Sequence, residues 1–127
     1  MQQQAQTAGY LASFPAARSY VLEHLGQAIG RLVLDLGPNS LHLVDISLLA
    51  QAQGQGHGTA VLIALQSMAS SQQLPLRLSV YHANDKAKRW YRKLGFETEQ
   101  ASELLDRLVW LPRAGAAADR QERTGTR

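Results

Sequence analysis

Cysteine is absent from all 127 residues. Its absence excludes disulfides, thiolate metal sites and a cysteine nucleophile, and it fits a reducing compartment. Long apolar runs are missing too, since none approaches the ~20 residues needed to span a bilayer. The first residues, Met1, Gln2, Gln3 and Gln4, carry no positive segment followed by an apolar core, so no secretory signal is read. The expected location is the cytoplasm, with no membrane partner. Aromatics are scarce at 6% and the net charge is only +3, so few rings interleave with the cations to stack on bases. A nucleic-acid partner is therefore disfavoured. The four histidines show no metal-ligand spacing, and no metal is expected.

What is present suits one globular domain. The apolar fraction is 45%, and the length allows a real though modest core. Arg120, Arg123 and Arg127 close the chain, and Lys86, Lys88, Arg89, Arg92 and Lys93 crowd one short segment. Such a charge run is usually a solvated helix face. The functional alternative is a positive rim for an anionic ligand.

Along the chain, residues 1–14 are rich in glutamine and alanine, and Pro15 closes them. Residues 19–24 and 28–36 form a hairpin pattern around Gly26 and Gln27. After Gly37, Pro38, Asn39 and Ser40, a turn signal, residues 41–49 run almost continuously apolar, broken by His42, Asp45 and Ser47. A run like that suits a central strand. A glycine-rich loop leads into a helix over 60–72, where Val61, Ala64, Leu65 and Met68 recur at helical spacing. A strand is predicted over 76–81, and a helix over 86–94, with Asn84 or Asp85 as its cap and Gly95 as its stop. Its Ala87, Trp90, Tyr91 and Leu94 share one side. Strands near 96–99 and 105–111 close the domain. Residues 1–18 read as a partial helix and linker, 19–112 as the folded domain, and 113–127 as a disordered polar tail with no apolar residue larger than alanine. The order predicts a mixed α/β fold, not a regular doubly wound sheet.

The loop Gln53, Gly54, Gln55, Gly56, His57, Gly58, Thr59 is a candidate phosphate cradle. Helix starts carry unpaired N–H groups and partial positive charge, and glycine lets a phosphate approach the backbone. Glycine loops also serve as plain tight connections. A P-loop would need a lysine after its last glycine, and a dinucleotide fingerprint would need Gly-x-Gly-x-x-Gly; neither is met.

Instead, Gln53, Gly56 and Gly58 match the Gln/Arg-x-x-Gly-x-Gly/Ala motif of the GNAT family of N-acetyltransferases, which the chain resembles over 19–111. A second resemblance follows in Asn84, Ala87, Trp90, Tyr91, Arg92, Lys93, Leu94, Gly95 and Phe96. The resemblance implies a splayed central sheet and acetyl-coenzyme A as co-substrate. It implies that the amides of Gln55, Gly56, His57, Gly58 and Thr59 bind the pyrophosphate. The backbone of Ile46, Leu48 and Leu49 would pair with the pantetheine arm, Asn84 would contact the coenzyme, and Tyr91 would protonate the departing thiolate. The acceptor would be a small-molecule or peptide amine, attacked directly in a ternary complex, which needs no cysteine.

For the base, the strand before the loop offers His42 and Asp45, whose opposite parity sends them to opposite sheet faces. Either also reads as a satisfied core group. Glu23 and His24 are expected on the acceptor side, and His57 is expected to pack on the helix start. The pattern is N-terminally shortened against the family, which leaves an edge strand open to a second copy, so a homodimer is plausible. The strand over 104–111 is a candidate for such an interface. The alternatives to an active enzyme are a catalytically inactive acyl-coenzyme-binding module or subunit and, below it, a nucleotide- or nucleic-acid-binding protein.

Overall fold

A computed structural model of the chain describes residue 14 and residues 16–112. The expected disordered tail over 113–127, and all of the expected N-terminal helix except Phe14 and the turn after it, lie outside the described residues. The elements are β1 (Arg18–His24), β2 (Gln27–Leu36), β3 (Leu41–Leu48), α1 (His57–Gln72), β4 (Leu76–Tyr81), α2 (Asp85–Lys93), β5 (Glu97–Ala101) and β6 (Leu105–Trp110), with a short 3₁₀ turn at Ala50–Ala52. The order agrees with the sequence reading, and most boundaries move by a residue or two. The exception is α1, which begins at His57 rather than 60: Gly56, at φ 86°, ends the loop and lets the last loop residues wind into the first helical turn.

The six strands form one mixed sheet in the order β1-β2-β3-β4-β6-β5. The one parallel ladder among the described residues joins β3 and β4, which pair only at Leu41↔Leu76, His42↔Arg77 and Leu43↔Leu78. Beyond Leu43 and Leu78 the two strands part, which is the expected splay. Both parallel crossovers, β3-α1-β4 and β4-α2-β5, step the same way across the sheet, so right-handed connection sets both helices on one face. There Leu32, Leu34, Leu41, Leu43, Leu76, Leu78, Val80 and Leu108 pack against Leu62, Leu65, Ala69, Tyr91 and Phe96. Their alternation along each strand follows the pleat.

The helix stripe read from the sequence is rotated in the structure. Leu62, Leu65 and Ala69 are the buried residues of α1. Val61, Ala64 and Met68 instead line, with Tyr20, Leu22 and Leu36, an apolar groove of about 800 Å³ beside the β1–β2 hairpin. β1 is the sheet's edge among the described residues, as expected. β6 is not available as an interface strand, because β4 and β5 pair with it on either side.

A β-bulge corrects the other expectation about β3. Its register with β2 jumps from Leu34↔Leu43 to Val33↔Asp45, leaving Val44 as the extra residue, while Asp35 faces His42. Asp35 and Val33 share a face of β2. His42 and Asp45 therefore share a face as well, the one opposite the helices; the extra residue cancels their difference in parity.

Candidate active site

The start of α1 is built as an open donor site. Gly54 (φ 77°) and Gly56 (φ 86°) hold backbone conformations that side-chain-bearing residues rarely adopt. A Cβ added at either would meet nothing within 4 Å, so the space above the loop is open. No side chain caps α1, and no acid stands in its first turn. The first-turn amides thus keep their positive potential for an external anion. The start of α2 is the opposite case. Asn84 Oδ1 accepts from the Ala87 amide at 3.1 Å, and Asp85 lies in the first turn. Asn84 is therefore a helix cap, and its side-chain amide nitrogen can still donate to another partner.

Gly58 differs from the other two loop glycines. A Cβ there would lie 3.4 Å from the Trp90 ring and 3.8 Å from Leu48. Its bareness serves helix packing. Thr59 Oγ1 accepts the Trp90 indole N–H at 3.0 Å. The loop is braced by its own glutamines: Gln53 Nε2 donates to the Leu48 carbonyl at 3.0 Å, and Gln55 Nε2 to the Gln51 carbonyl at 2.8 Å. The Leu49 amide donates to the Ile29 carbonyl at 2.8 Å. Ile46 is half-buried where β3 leaves β4.

Tyr91 is almost wholly buried, its ring edge-on to Phe96 (5.6 Å between centroids) and tilted against Trp90 (4.8 Å). It projects from α2 into the core between the helices and the sheet. His57 packs against His24, their rings 4.6 Å apart, which brings the hairpin tip over the start of α1. His24 thus flanks the cradle and not the face that carries His42.

On the opposite face, Asp45 is 3% exposed. Its Oδ2 accepts from Arg31 Nη2 at 2.9 Å and from Ser47 Oγ at 3.3 Å, while Oδ1 has no hydrogen-bond partner. An orphaned buried carboxylate oxygen is an unmet acceptor. His42 is also buried, with the Phe14 ring 4.4 Å away. Burial, then the Arg107 guanidinium, lowers its pKa from 6.5 to about 4, so the imidazole is neutral through the physiological range.

Sequence reading missed the buried ion cluster behind α2. Asp106 accepts from His82 Nδ1 at 2.8 Å and Lys88 Nζ at 3.0 Å, and Lys88 also donates to the His82 carbonyl. Hydrogen bonds from His82, then Lys88, hold the Asp106 carboxyl below its usual pKa. Lys88 is buried by this contact, while Lys86, Arg89, Arg92 and Lys93 are exposed. The basic segment is thus one structural lysine and a solvated rim. No described helix is long and apolar enough to cross a membrane.

The family model for the acetyltransferase (GNAT) domain matches residues 15–98. Among solved structures, a GNAT family acetyltransferase from Elizabethkingia anophelis with acetyl-CoA bound aligns with a TM-score of 0.71 at 14% identity, over 84% of each chain. IAA acetyltransferase from Bacillus cereus aligns at 0.67 and 20% identity, over 84% of this chain and 85% of that one. PaiA N-acetyltransferase from Thermoplasma acidophilum, in complex with coenzyme A, aligns at 0.65 and 16%, over 87% and 70%. At these identities the likeness is one of fold. No curated protein sequence matches the chain.

Proposed function

Since the chain belongs to the acetyltransferase (GNAT) domain family and is therefore an acyltransferase, we propose that it moves an acetyl group from acetyl-coenzyme A to a primary amine, by direct attack within a ternary complex. One observation carries this reading: the uncapped, acid-free start of α1 opens beside the point where β3 and β4 part. The amides of Gln55, Gly56, His57, Gly58 and Thr59 would hold the pyrophosphate, with Gln53 and Gly54 shaping the loop. Ile46 and Leu48 would offer backbone groups to the pantetheine arm. At Leu48 the coenzyme would replace the Gln53 amide, which now occupies the carbonyl. Leu49, whose amide is engaged by Ile29, would contribute its exposed side chain, and Asn84 its amide nitrogen.

Bound acetyl-coenzyme A supplies an acyl carbon activated as a thioester. The amine nitrogen bonds to that carbon, the carbon–sulfur bond breaks, and two protons move: one onto the sulfur, one off the nitrogen. Tyr91, on the helix that packs against the cradle, is the proposed donor to sulfur. His42, neutral at working pH, and the unmet Oδ1 of Asp45 are the candidate acceptors for the amine proton, and both face away from the helices. The coenzyme and the amine would then approach from opposite sides of the sheet and meet in the splay. The acceptor is a small-molecule or peptide amine.

Isothermal titration with acetyl-coenzyme A, and with NADH for comparison, tests the first half. Binding of the former alone is expected. A panel of primary amines with thiol detection tests the second half, and Tyr91→Phe is expected to slow turnover by roughly 10²–10⁴-fold. Binding without turnover would favour the inactive coenzyme-binding module. No binding by folded protein would overturn the reading.

A further inference from the structure

We propose that Trp90 is a positioning residue, a strap that fixes Tyr91 relative to the coenzyme cradle. The proposal rests on the reading of Tyr91 and of the α1 start given above. Two side-chain hydrogen bonds join the helices: Trp90 Nε1 donates to Thr59 Oγ1 at 3.0 Å, and Gln66 Nε2 donates to the Leu94 carbonyl at 2.7 Å. Thr59 and Gln66 stand two turns apart on one side of α1, while Trp90 and Leu94 stand about one turn apart on α2. The helices are thus pinned at two points.

Of the two pins, only the first touches both halves of the site. Thr59 lies in the first turn of α1, among the cradle amides. Trp90 precedes Tyr91, and successive residues of a helix point about 100° apart. One neighbour therefore reaches across to α1 while the other enters the core. Their rings lie 4.8 Å apart, so a shift of one is felt by the other. The indole also lies against Gly58, where a Cβ would stand only 3.4 Å away. This contact gives the last loop glycine a purpose distinct from phosphate approach: it lets a tryptophan come close enough to reach Thr59.

Reaction geometry is sensitive to shifts of this kind, since misplacing a reacting group by about 1 Å can cost on the order of a hundredfold in rate. Trp90→Phe keeps an aromatic ring on Gly58 and removes only the N–H donor. Thr59→Val keeps the shape and removes the acceptor. Each is measured in the full chain by release of coenzyme A thiol, with butylamine as acceptor and water as the background acceptor. Calorimetric affinity for acetyl-coenzyme A and a thermal melt accompany each variant.

Trp90→Phe is expected to lower kcat about tenfold or more, with the affinity for acetyl-coenzyme A changed less than about threefold. In a Tyr91→Phe background the same change is expected to alter kcat less than about twofold, because the residue through which Trp90 acts is gone. Thr59→Val is expected to match Trp90→Phe in kcat and serves if the tryptophan variant does not fold. An equal loss in both backgrounds, a loss confined to coenzyme affinity, or no loss would overturn the strap. If Tyr91→Phe alone leaves kcat unchanged, the fault lies with the reading of Tyr91. If Tyr91→Phe slows the enzyme and Trp90→Phe does not, only the strap fails.

Discussion

The two faces of the sheet use the same strands for different physics. The helix-bearing face is apolar from Leu32 to Leu108. Its polar features are the Asp106 carboxylate, paired with Lys88 and His82 behind α2, and the start of α1, a backbone site whose donors depend on conformation and not on side-chain chemistry. The opposite face carries side-chain charge: Arg31 with Asp45, Arg77 with Glu99, and a buried His42. A backbone site is broken by changing φ/ψ and is insensitive to mild pH changes. A side-chain site is broken by changing one group and titrates. The contrast predicts which perturbation each side of the proposed ternary complex will feel.

The largest expected effect is on the helix face. Gly56 stands at φ 86° with open space around it, so Gly56→Val meets no clash but forces a β-branched residue into a left-handed conformation. The loop must refold to relieve it. Acetyl-coenzyme A affinity is expected to drop by about a hundredfold, from strain of roughly 1–3 kcal/mol together with misdirected amides. Calorimetry reads this directly. Unchanged affinity would mean that the cradle is elsewhere.

His42 gives the next effect, on the other face. Its folded pKa of about 4 lies below the ordinary 6.5, so the unfolded chain binds the proton more readily between those values. The resulting stability is fully present above pH 6.5 and is lost as pH falls toward 4. Linkage gives a loss of about 2 kcal/mol between pH 7 and pH 5. Urea melts at the two pH values measure it, and His42→Gln should flatten that part of the curve. Asp106 titrates in a separate window. Its lowered pKa contributes stability above the ordinary aspartate range, and that contribution is lost only as pH falls through the depressed value.

Legibility followed the same division. The element order, the splay and the glycine-built turn into α1 were readable, because glycine positions and pleat periodicity are written in residue type; the near-complete burial of Tyr91, read as the proton donor, was not. The relation of His42 to Asp45 was not. Parity along a strand assumes an unbroken ladder, and the bulge at Val44 leaves no distinctive composition behind it. The α1 stripe was misassigned because its apolar residues serve two surfaces, the core and the groove by the hairpin, and periodicity alone does not divide them. Trp90 was visible as one of the apolar residues of α2. Its hydrogen bond to Thr59 was not, since that contact depends on how two helices cross. Lys88 and Asp106 were hidden for a like reason: a lysine in a basic run looks solvated until a buried carboxylate is found behind it.

The smaller effects sharpen the contrast where both faces offer something similar. Asn84→Ala removes the cap of α2 and should cost about 1 kcal/mol in a thermal or urea melt. His57→Glu places an acid at the uncapped start of α1, where the helix dipole should make it neutral or stabilising by about 0.3–1 kcal/mol. The same charge should weaken acetyl-coenzyme A binding, because it takes the position proposed for the phosphates. A variant that gains stability and loses ligand is the signature of a helix end kept open for an anion.

The smallest effect belongs to the Arg77–Glu99 pair on the face opposite the helices. Two parallel hydrogen bonds of 2.9 Å join the guanidinium to the carboxylate, an arrangement stronger than a single contact. Both side chains are nevertheless about a third exposed, at 28% and 33%, so water and salt screen them. Glu99→Gln is expected to cost no more than about 1 kcal/mol, and less at high ionic strength. The pair also links β4 to the β5 bulge, and Arg77 contributes to the lowering of the His42 pKa. Freed from Glu99, Arg77 should depress His42 further and extend the stability loss to lower pH. An NMR titration of His42 in Glu99→Gln separates the two roles. A downward shift means that the pair moderates the field at His42, and an unchanged pKa means that it acts only as an exposed brace between strands.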